Sequence, residues 1–506
     1  MATKDRDALE PGEVALDSSE GRLVLATVVL GSAVASLTAT VVNVALPTLA
    51  RDLDAGSSGQ KWIVNGYTLT LAALILIGGS LGDRFGRVRL YRIGVAWFAV
   101  ASLLCALAWD VNSLIAFRLL QGIGGALLTP GSLSIIESSF RREDRGRGVG
   151  AWSGITGIAG AVGPLLGGLL VGIDWRWVFV VNVPVAVAAL VLSRWVPETI
   201  DPTASDAQLD TTGAVLTVAV LGGSSFALIE GPEGGFSTLE LAAAALAIVG
   251  AVVLVAYERG RDHAMVPFDL FVDRTFAVAN LLTFLVYGGM GVLFFLLSVQ
   301  LQVTAGWSPL ESGAALLPVT VIMLLLSSRM GDLAQRIGPR WPLTIGPLVA
   351  AIGMVLLTRV GANASFVADV FPAVTVFGLG LSGIVAPVTS AALGAVPDNR
   401  AGAASGVNNA VARTGGLLAV AAVPGFVGLT GDALGDPELL GPGFERAMIW
   451  SAAMVALGGC AAFALLDRGA SGASGDSDTD TDHGDHVHRH PCPVDGNLST
   501  VGTDDH

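Results

Sequence analysis

Charge is what this chain has least of. Only 14% of its 506 residues are Asp, Glu, Lys or Arg, against roughly 25% in a soluble domain. That scarcity excludes a solvated surface around so long a chain. A mean hydropathy of +0.67 points to a protein whose solvent is lipid. Cysteine is scarce as well: Cys105, Cys460 and Cys492 form no metal or redox spacing, and the first two lie in apolar runs as packing residues. No basic surface supports a nucleic-acid role. No P-loop pattern supports direct ATP drive, and no cofactor is expected. No basic segment precedes Leu23, so the first apolar run reads as a retained span and not a cleaved leader.

The net charge of −14 names no partner. Residues 1–22 supply −3 of it and residues 468–506 supply −6. Both ends are polar and read as disordered. The second also holds five of the six histidines. A run of Asp and His can hold metal loosely, but without fixed ligand spacing it reads as a solvated tail.

What is abundant is long apolar sequence. A spanning helix needs about 20 mostly apolar residues, and fourteen such runs can be drawn, from 24–47 to 447–466. The sixth is 177–195, the tenth 311–328, the twelfth 367–392 and the thirteenth 403–428. An even count puts both termini on one side. Taking that side as the cytoplasm places Arg84, Arg87, Arg89 and Arg92 inside, followed by Arg141, Arg142, Arg145 and Arg147 and by Arg259, Arg261 and Arg274. Arg51, Lys61, Arg176, Arg359 and Arg446 fall outside. This is the positive-inside asymmetry of a cell-membrane protein.

The two halves echo each other. Asp83-Arg-Phe-Gly86 and Gln335-Arg-Ile-Gly338 are offset by 252 positions, as are Ala151-Trp-Ser-Gly154 and Ala403-Ala-Ser-Gly406. The expected layout is an all-α membrane protein of fourteen helices. A six-helix bundle (23–200) and its pseudo-repeat (261–467) flank a two-helix insert (201–260), with cytoplasmic ends at 1–22 and 468–506. Parallel six-span halves with a site between them are a transporter architecture.

Three motifs follow in order. Gly78-Gly-Ser-Leu-Gly-Asp-Arg-Phe-Gly-Arg-Val-Arg89 ends the second run. The fourth carries Arg118-Leu-Leu-Gln-Gly-Ile-Gly-Gly125, and the fifth carries Gly157-Ile-Ala-Gly-Ala-Val-Gly-Pro-Leu-Leu-Gly-Gly168. They resemble motifs A, B and C of the major facilitator superfamily. Trp175-Arg-Trp-Val-Phe-Val-Val-Asn-Val-Pro184 and Ala403-Ala-Ser-Gly-Val-Asn-Asn-Ala-Val-Ala-Arg413 resemble its fourteen-span drug:proton antiporter branch. The resemblance covers about residues 24–466. It implies a monomeric exporter of hydrophobic or amphiphilic small molecules, driven by protons. It also implies that Gly79, Asp83, Arg84, Gly86 and Arg87 form a conformational latch.

The residues carry a physical reading of their own. Gly157, Gly160, Gly163, Gly167 and Gly168 recur at helical spacing beside Pro164, giving a smooth face for close packing or sliding. Arg118 lies inside a span, where a charge needs a partner or a wet cavity. Gln121, three residues on, shares its face. Asn65 and Tyr67, Gln300 and Gln302, and Asn408, Asn409 and Arg413 are further polar candidates for cargo contact.

One acid is missing. The branch's first span carries an aspartate where this chain has Thr38, in Leu37-Thr-Ala-Thr-Val-Val-Asn43. That aspartate is the position given the proton. A hydroxyl titrates no proton here, so Thr38 and Asn43 leave the coupling site without its carboxyl. Glu137, near the inner end of span 4, is the best substitute by position. Its plainer reading is a solvated carboxylate at the membrane edge. A facilitator or importer on the same scaffold and a transporter-like sensor are the rival readings.

Overall fold

Ser18 starts the first helix: its side chain accepts the Gly21 N–H, satisfying a donor that has no partner within the helix. The computed structural model describes residues 14–199, 210–261, 264–397 and 400–466. The acidic tail 468–506 and residues 1–13 lie outside the described residues, as does the 200–209 link.

Helix α1 runs Ser19–Asp52 through Pro47. It is followed by α2 (Ser57–Phe85), α3 (Arg87–Ala106), α4 (Val111–Ser139) and α5 (Arg145–Val171). The sixth apolar run is broken into α6 (Trp177–Val180) and α7 (Asn182–Ser193). Helices α8 (Thr211–Gly234) and α9 (Thr238–Glu258) form a hairpin. The second half opens with α10 (Arg274–Val303). Next come α11 (Pro309–Ala314) and α12 (Leu317–Ile337), and α13 (Arg340–Leu356). The twelfth run contains α14 (Phe371–Ser382) and α15 (Val385–Gly394), and α16 (Ala401–Phe426) and α17 (Pro437–Leu465) complete the chain. Among the described residues the strand-like pairing is limited to one bridge, Val14 to Phe140.

Twelve of these segments are long and apolar enough to cross a membrane. Trp177–Ser193 is a shorter apolar helix. The thirteenth run is α16, 26 residues long, and Asn408, Asn409 and Arg413 lower its apolar character. The fifth run, rich in glycine, is one continuous helix through Pro164.

Helices pack closely where side chains are absent. A Cβ on Gly78 would strike the Ala126 carbonyl, and one on Gly124 would come within 2.8 Å of the Phe98 nitrogen. Backbone approach of this kind drives helix association in lipid, where apolar surface gains nothing by leaving its solvent. In the first half α4 packs on α2 and α3, and α1 packs on α5 and α7. In the second, α10 packs on α16 and α17, and α13 on α14 and α17. The halves meet through α2 with α16, α5 with α11 and α12, and α1 with α10. Helix α8 packs against both α2 and α16. Gly86 and Gly338 leave α2 and α12 at φ +104° and +83°, a conformation that costs a side chain dearly. The two echoed turns therefore share one backbone geometry.

Candidate transport site

Arg118 is 1% exposed, and the bundle around it supplies what its charge requires. Its Nε donates to the Ile63 carbonyl on α2 (3.0 Å), and its Nη1 to Gln121 Oε1 (2.6 Å). Gln121 Nε2 donates in turn to Ser102 Oγ on α3 (2.7 Å). The Tyr67 ring lies 4.7 Å from the guanidinium carbon, within cation–π range. One arginine thus ties three helices, and none of these partners is a carboxylate.

Arg413, in the other half of the chain, also bears on this tyrosine electrostatically. Its charge acts on the hydroxyls of Tyr67 and Tyr287, while its Nε is buried without an acceptor. Thr38 is fully buried, and its Oγ1 has no hydrogen-bond partner; nor does Asn43 Oδ1. Buried polar atoms are nearly always satisfied, so these three groups are open to completion by a polar cargo or a water.

The other polar candidates divide by role. Asn65 donates to the Leu417 carbonyl across α2 and α16 (3.2 Å), and Gln302 to the Val44 carbonyl across α10 and α1 (2.9 Å). Both tie the halves together. Gln300 donates to the Val360 carbonyl, and Asn408 to Asn280 Oδ1 and Thr283 Oγ1. These ties stay within the second half. Asn409 is exposed.

The glycine motif of α5 divides the molecule into a closed end and an open one. At the closed end, Gly163 packs on Thr40 and Gly167 on Val41. A Cβ on Gly168 would lie 2.6 Å from Leu310 Cα. Gly313 of α11 faces the Pro164 carbonyl more closely still. Thr40 Oγ1 donates to the Gly160 carbonyl (3.0 Å). At the other end Gly146, Gly150, Gly154 and Gly157 of α5, and Gly394 and Gly402 of the second half, meet nothing within 4 Å.

A second seam seals the closed end, and sequence reasoning misses it. Lys61, placed by hydropathy in an exposed loop, is 0% exposed. Its Nζ pairs with Glu233 Oε1 (2.7 Å), and Glu233 Oε2 accepts the Gly431 N–H. Glu230 accepts from Ser58 Oγ and Trp62 Nε1. The hairpin helix α8 is thereby fastened to α2 and to the α16–α17 loop.

At the arginine-rich end, Asp83 Oδ1 accepts from Arg87 Nε (2.8 Å) within its own turn. Arg84 lies over the Phe85 ring, and Gly79 packs on Pro130. Glu198 is a further residue that the sequence does not single out. Its carboxylate accepts the Val88 N–H (2.9 Å) and fills the space where a Cβ on Gly86 would stand. Helix α3 has no side-chain cap of its own, which is the signal that points to a distant acid. Glu137 is exposed and acts with Arg87, Arg145 and Asp83. It belongs to this ionic cluster, about 28 Å along α4 from Arg118 at 1.5 Å per residue.

A bundle of long apolar helices, a buried arginine in its middle, and helix packing tight at one end and open at the other define a membrane transporter. The sequence profile of the Major Facilitator Superfamily matches residues 28–420, and the chain belongs to that superfamily. It is 30% identical over 446 residues to the MFS-type transporter EfpA of Mycobacterium tuberculosis, covering 85% of this chain and 84% of that one. It is 32% identical over 433 residues to the tetracenomycin C resistance and export protein of Streptomyces glaucescens, covering 83% and 79%. The fold is similar to that of a bacterial homolog of the human lysosomal transporter Spinster, in an inward-facing, unoccupied conformation. The TM-score is 0.63 at 16% identity, over 89% of this chain and 97% of the other.

Proposed function

We propose that this transporter exports amphiphilic small molecules across the cell membrane by alternating access, and that the conformation described here opens to the cytoplasm. The relatives' roles in antibiotic resistance and export support the direction of transport. The open end carries Arg84, Arg87, Arg141, Arg145 and Arg147, and positive charge marks the cytoplasmic side. Fourteen spans, two six-helix halves around a two-helix insert, cytoplasmic termini and a monomeric unit are part of the same reading.

The observation that carries the cargo class is the electrostatics of the centre. Arg118 stacks on Tyr67 and the charge of Arg413 acts on the same tyrosine, and α1 between Gly21 and Ala50 contains no acid. Two positive charges without a carboxylate repel lipophilic cations and favour neutral or anionic amphiphiles. Arg118, Gln121, Thr38, Asn43 and Arg413 are the proposed contacts. Gly157 to Gly168 form the sliding face, and Asp83 with Arg84 and Arg87 the latch. Protons remain the energy source in this reading, carried by a group other than residue 38.

The test uses inside-out vesicles holding a respiration-driven pH gradient, with a panel of cationic, neutral and anionic amphiphiles. Collapse of the gradient by neutral or anionic compounds, only when the protein is present, supports proton-coupled export. Transport of labelled cargo with the gradient untouched establishes the second reading, a facilitator without proton coupling, which Thr38 favours. Ethidium-like cations as best substrates overturn the charge argument.

A further inference from the structure

The hairpin α8–α9 is closed at its base by two carboxyl groups that the transport site does not use. Asp210 caps α8, its Oδ1 accepting the Gly213 N–H (2.8 Å). Glu258 ends α9 and is 1% exposed; its Oε2 accepts the Val266 N–H (3.3 Å). Each carboxyl thus commits one oxygen to a backbone donor. The remaining oxygens, Asp210 Oδ2 and Glu258 Oε1, are buried, and neither has a donor. Both lie close to one point. A Cβ on Gly213 would stand 2.6 Å from Asp210 Oδ2 and closer still to Glu258 Oε1.

No described cation completes the pair. The groups acting on Glu258 are the Asp210 carboxyl and the backbone N–H groups of Met265 and Val266. Arg261 lies over the Tyr257 ring at 4.2 Å, and Arg259 is exposed and lines a groove with Ala251 and Val255. From α2 and α16, which also pack on α8, no charge acts on Glu258. Asp262 and His263 lie outside the described residues. Two buried carboxylates facing each other do not both ionise without a cation between them. When they share one proton, the O–H of one acid satisfies the open oxygen of the other and the pair carries a single negative charge.

We propose that Asp210 and Glu258 hold one proton between them at neutral pH, and that this proton-binding site clasps the base of the α8–α9 hairpin. Deprotonation leaves two facing carboxylates, so the clasp is lost as pH rises. The same helix is fastened at its other end through Glu230 and Glu233 to α2 and Gly431. The proton therefore acts on a helix in contact with both halves of the transporter.

The test takes the full chain in detergent micelles and compares infrared difference spectra on raising the pH from mildly acidic to mildly alkaline. The expected result is a protonated-carboxyl C=O band, shifted in heavy water, that disappears as pH rises. It is absent from both Glu258→Gln and Asp210→Asn. Thermal unfolding of the wild type falls across the same pH range. Glu258→Gln, whose amide N–H replaces the shared proton, removes that fall. If Glu258→Gln does not fold, Asp210→Asn, which keeps the capping acceptor of α8, carries the same comparison. A band that survives in the variants overturns the proposal, as does a wild type with no such band at any pH. So does a wild type without the band that is stabilised at neutral pH by added Mg²⁺, Ca²⁺ or Zn²⁺, which assigns a cation in place of the proton.

Discussion

The guanidinium of Arg118 stands 4.7 Å from the Tyr67 ring while its Nη1 donates to Gln121 at 2.6 Å. The charge is thereby held by a π face, an amide and a carbonyl, none of which cancels it. A buried charge so placed stays available to an anionic or polarisable cargo. Arg118→Lys keeps the charge but loses the planar fork. It is expected to abolish drug-stimulated transport at unchanged expression in the vesicle assay. Gln121→Leu removes one partner of a charged donor and is expected to cost about 2 kcal/mol in thermal unfolding.

Thr38→Asp restores a carboxyl at the fully buried position in α1. The variant is expected to accept cations that the wild type refuses and to dissipate the pH gradient when they are added. Unchanged selectivity would show that residue 38 does not set cargo charge.

The seam between α5 and α11 depends on having no side chain at Gly168 and Gly313. A methyl at either site meets backbone, which cannot move aside as a side chain can, at about 1–3 kcal/mol. Gly168→Ala and Gly313→Ala are therefore expected to weaken the closed end. Cysteines placed at Leu310 should become more reactive to a membrane-impermeant thiol reagent in these variants, and transport should fall.

Glu233→Gln leaves the buried Lys61 ammonium without its counter-charge. Removal of one member of such a pair costs about 3–5 kcal/mol, to be read as a drop in thermal stability. The double variant Lys61→Met with Glu233→Gln is expected to recover most of the loss. Failure to recover would mean that the pair has a role beyond stabilising the seam.

Arg400 donates to both oxygens of Asp269 at the arginine-rich end, Nη2 to Oδ1 at 3.0 Å. Those hydrogen bonds hold the Asp269 carboxyl below the usual carboxylate range. A depressed acid contributes stability at neutral pH that is lost as pH falls through its folded value. Asp269 is exposed and Arg400 partly so, so the effect is small. Asp269→Asn should flatten the acid limb of the unfolding profile slightly and leave the neutral region alone.

Part of the site is legible in the order of residues. Arg118 and Gln121 stand three residues apart in an apolar run, and helical geometry alone puts them on one face. Their further partners, Ile63 and Ser102, are not readable, because a backbone carbonyl and a lone serine carry no signal of direction. Lys61 and Glu233 are 172 residues apart and read along the chain as unrelated loop charges. The same holds for Glu198 under Gly86 and for Asp210 beside Glu258. Such pairs are made by which helices become neighbours, and hydropathy does not encode neighbours.

Composition and local pattern are enough to put this chain in lipid as a bundle of helices, with charge in its middle and no acid in its first span. Bilayer thickness and the cost of an unpaired backbone group admit few other solutions for such a composition. Which end is closed, what holds Arg118 and where the remaining carboxyls gather were settled only by the packing of the folded chain. Those outcomes depend on contacts between helices far apart in the chain, set by backbone approach at Gly168 and Gly313 and by burial at Lys61, and no local pattern of residues specifies them.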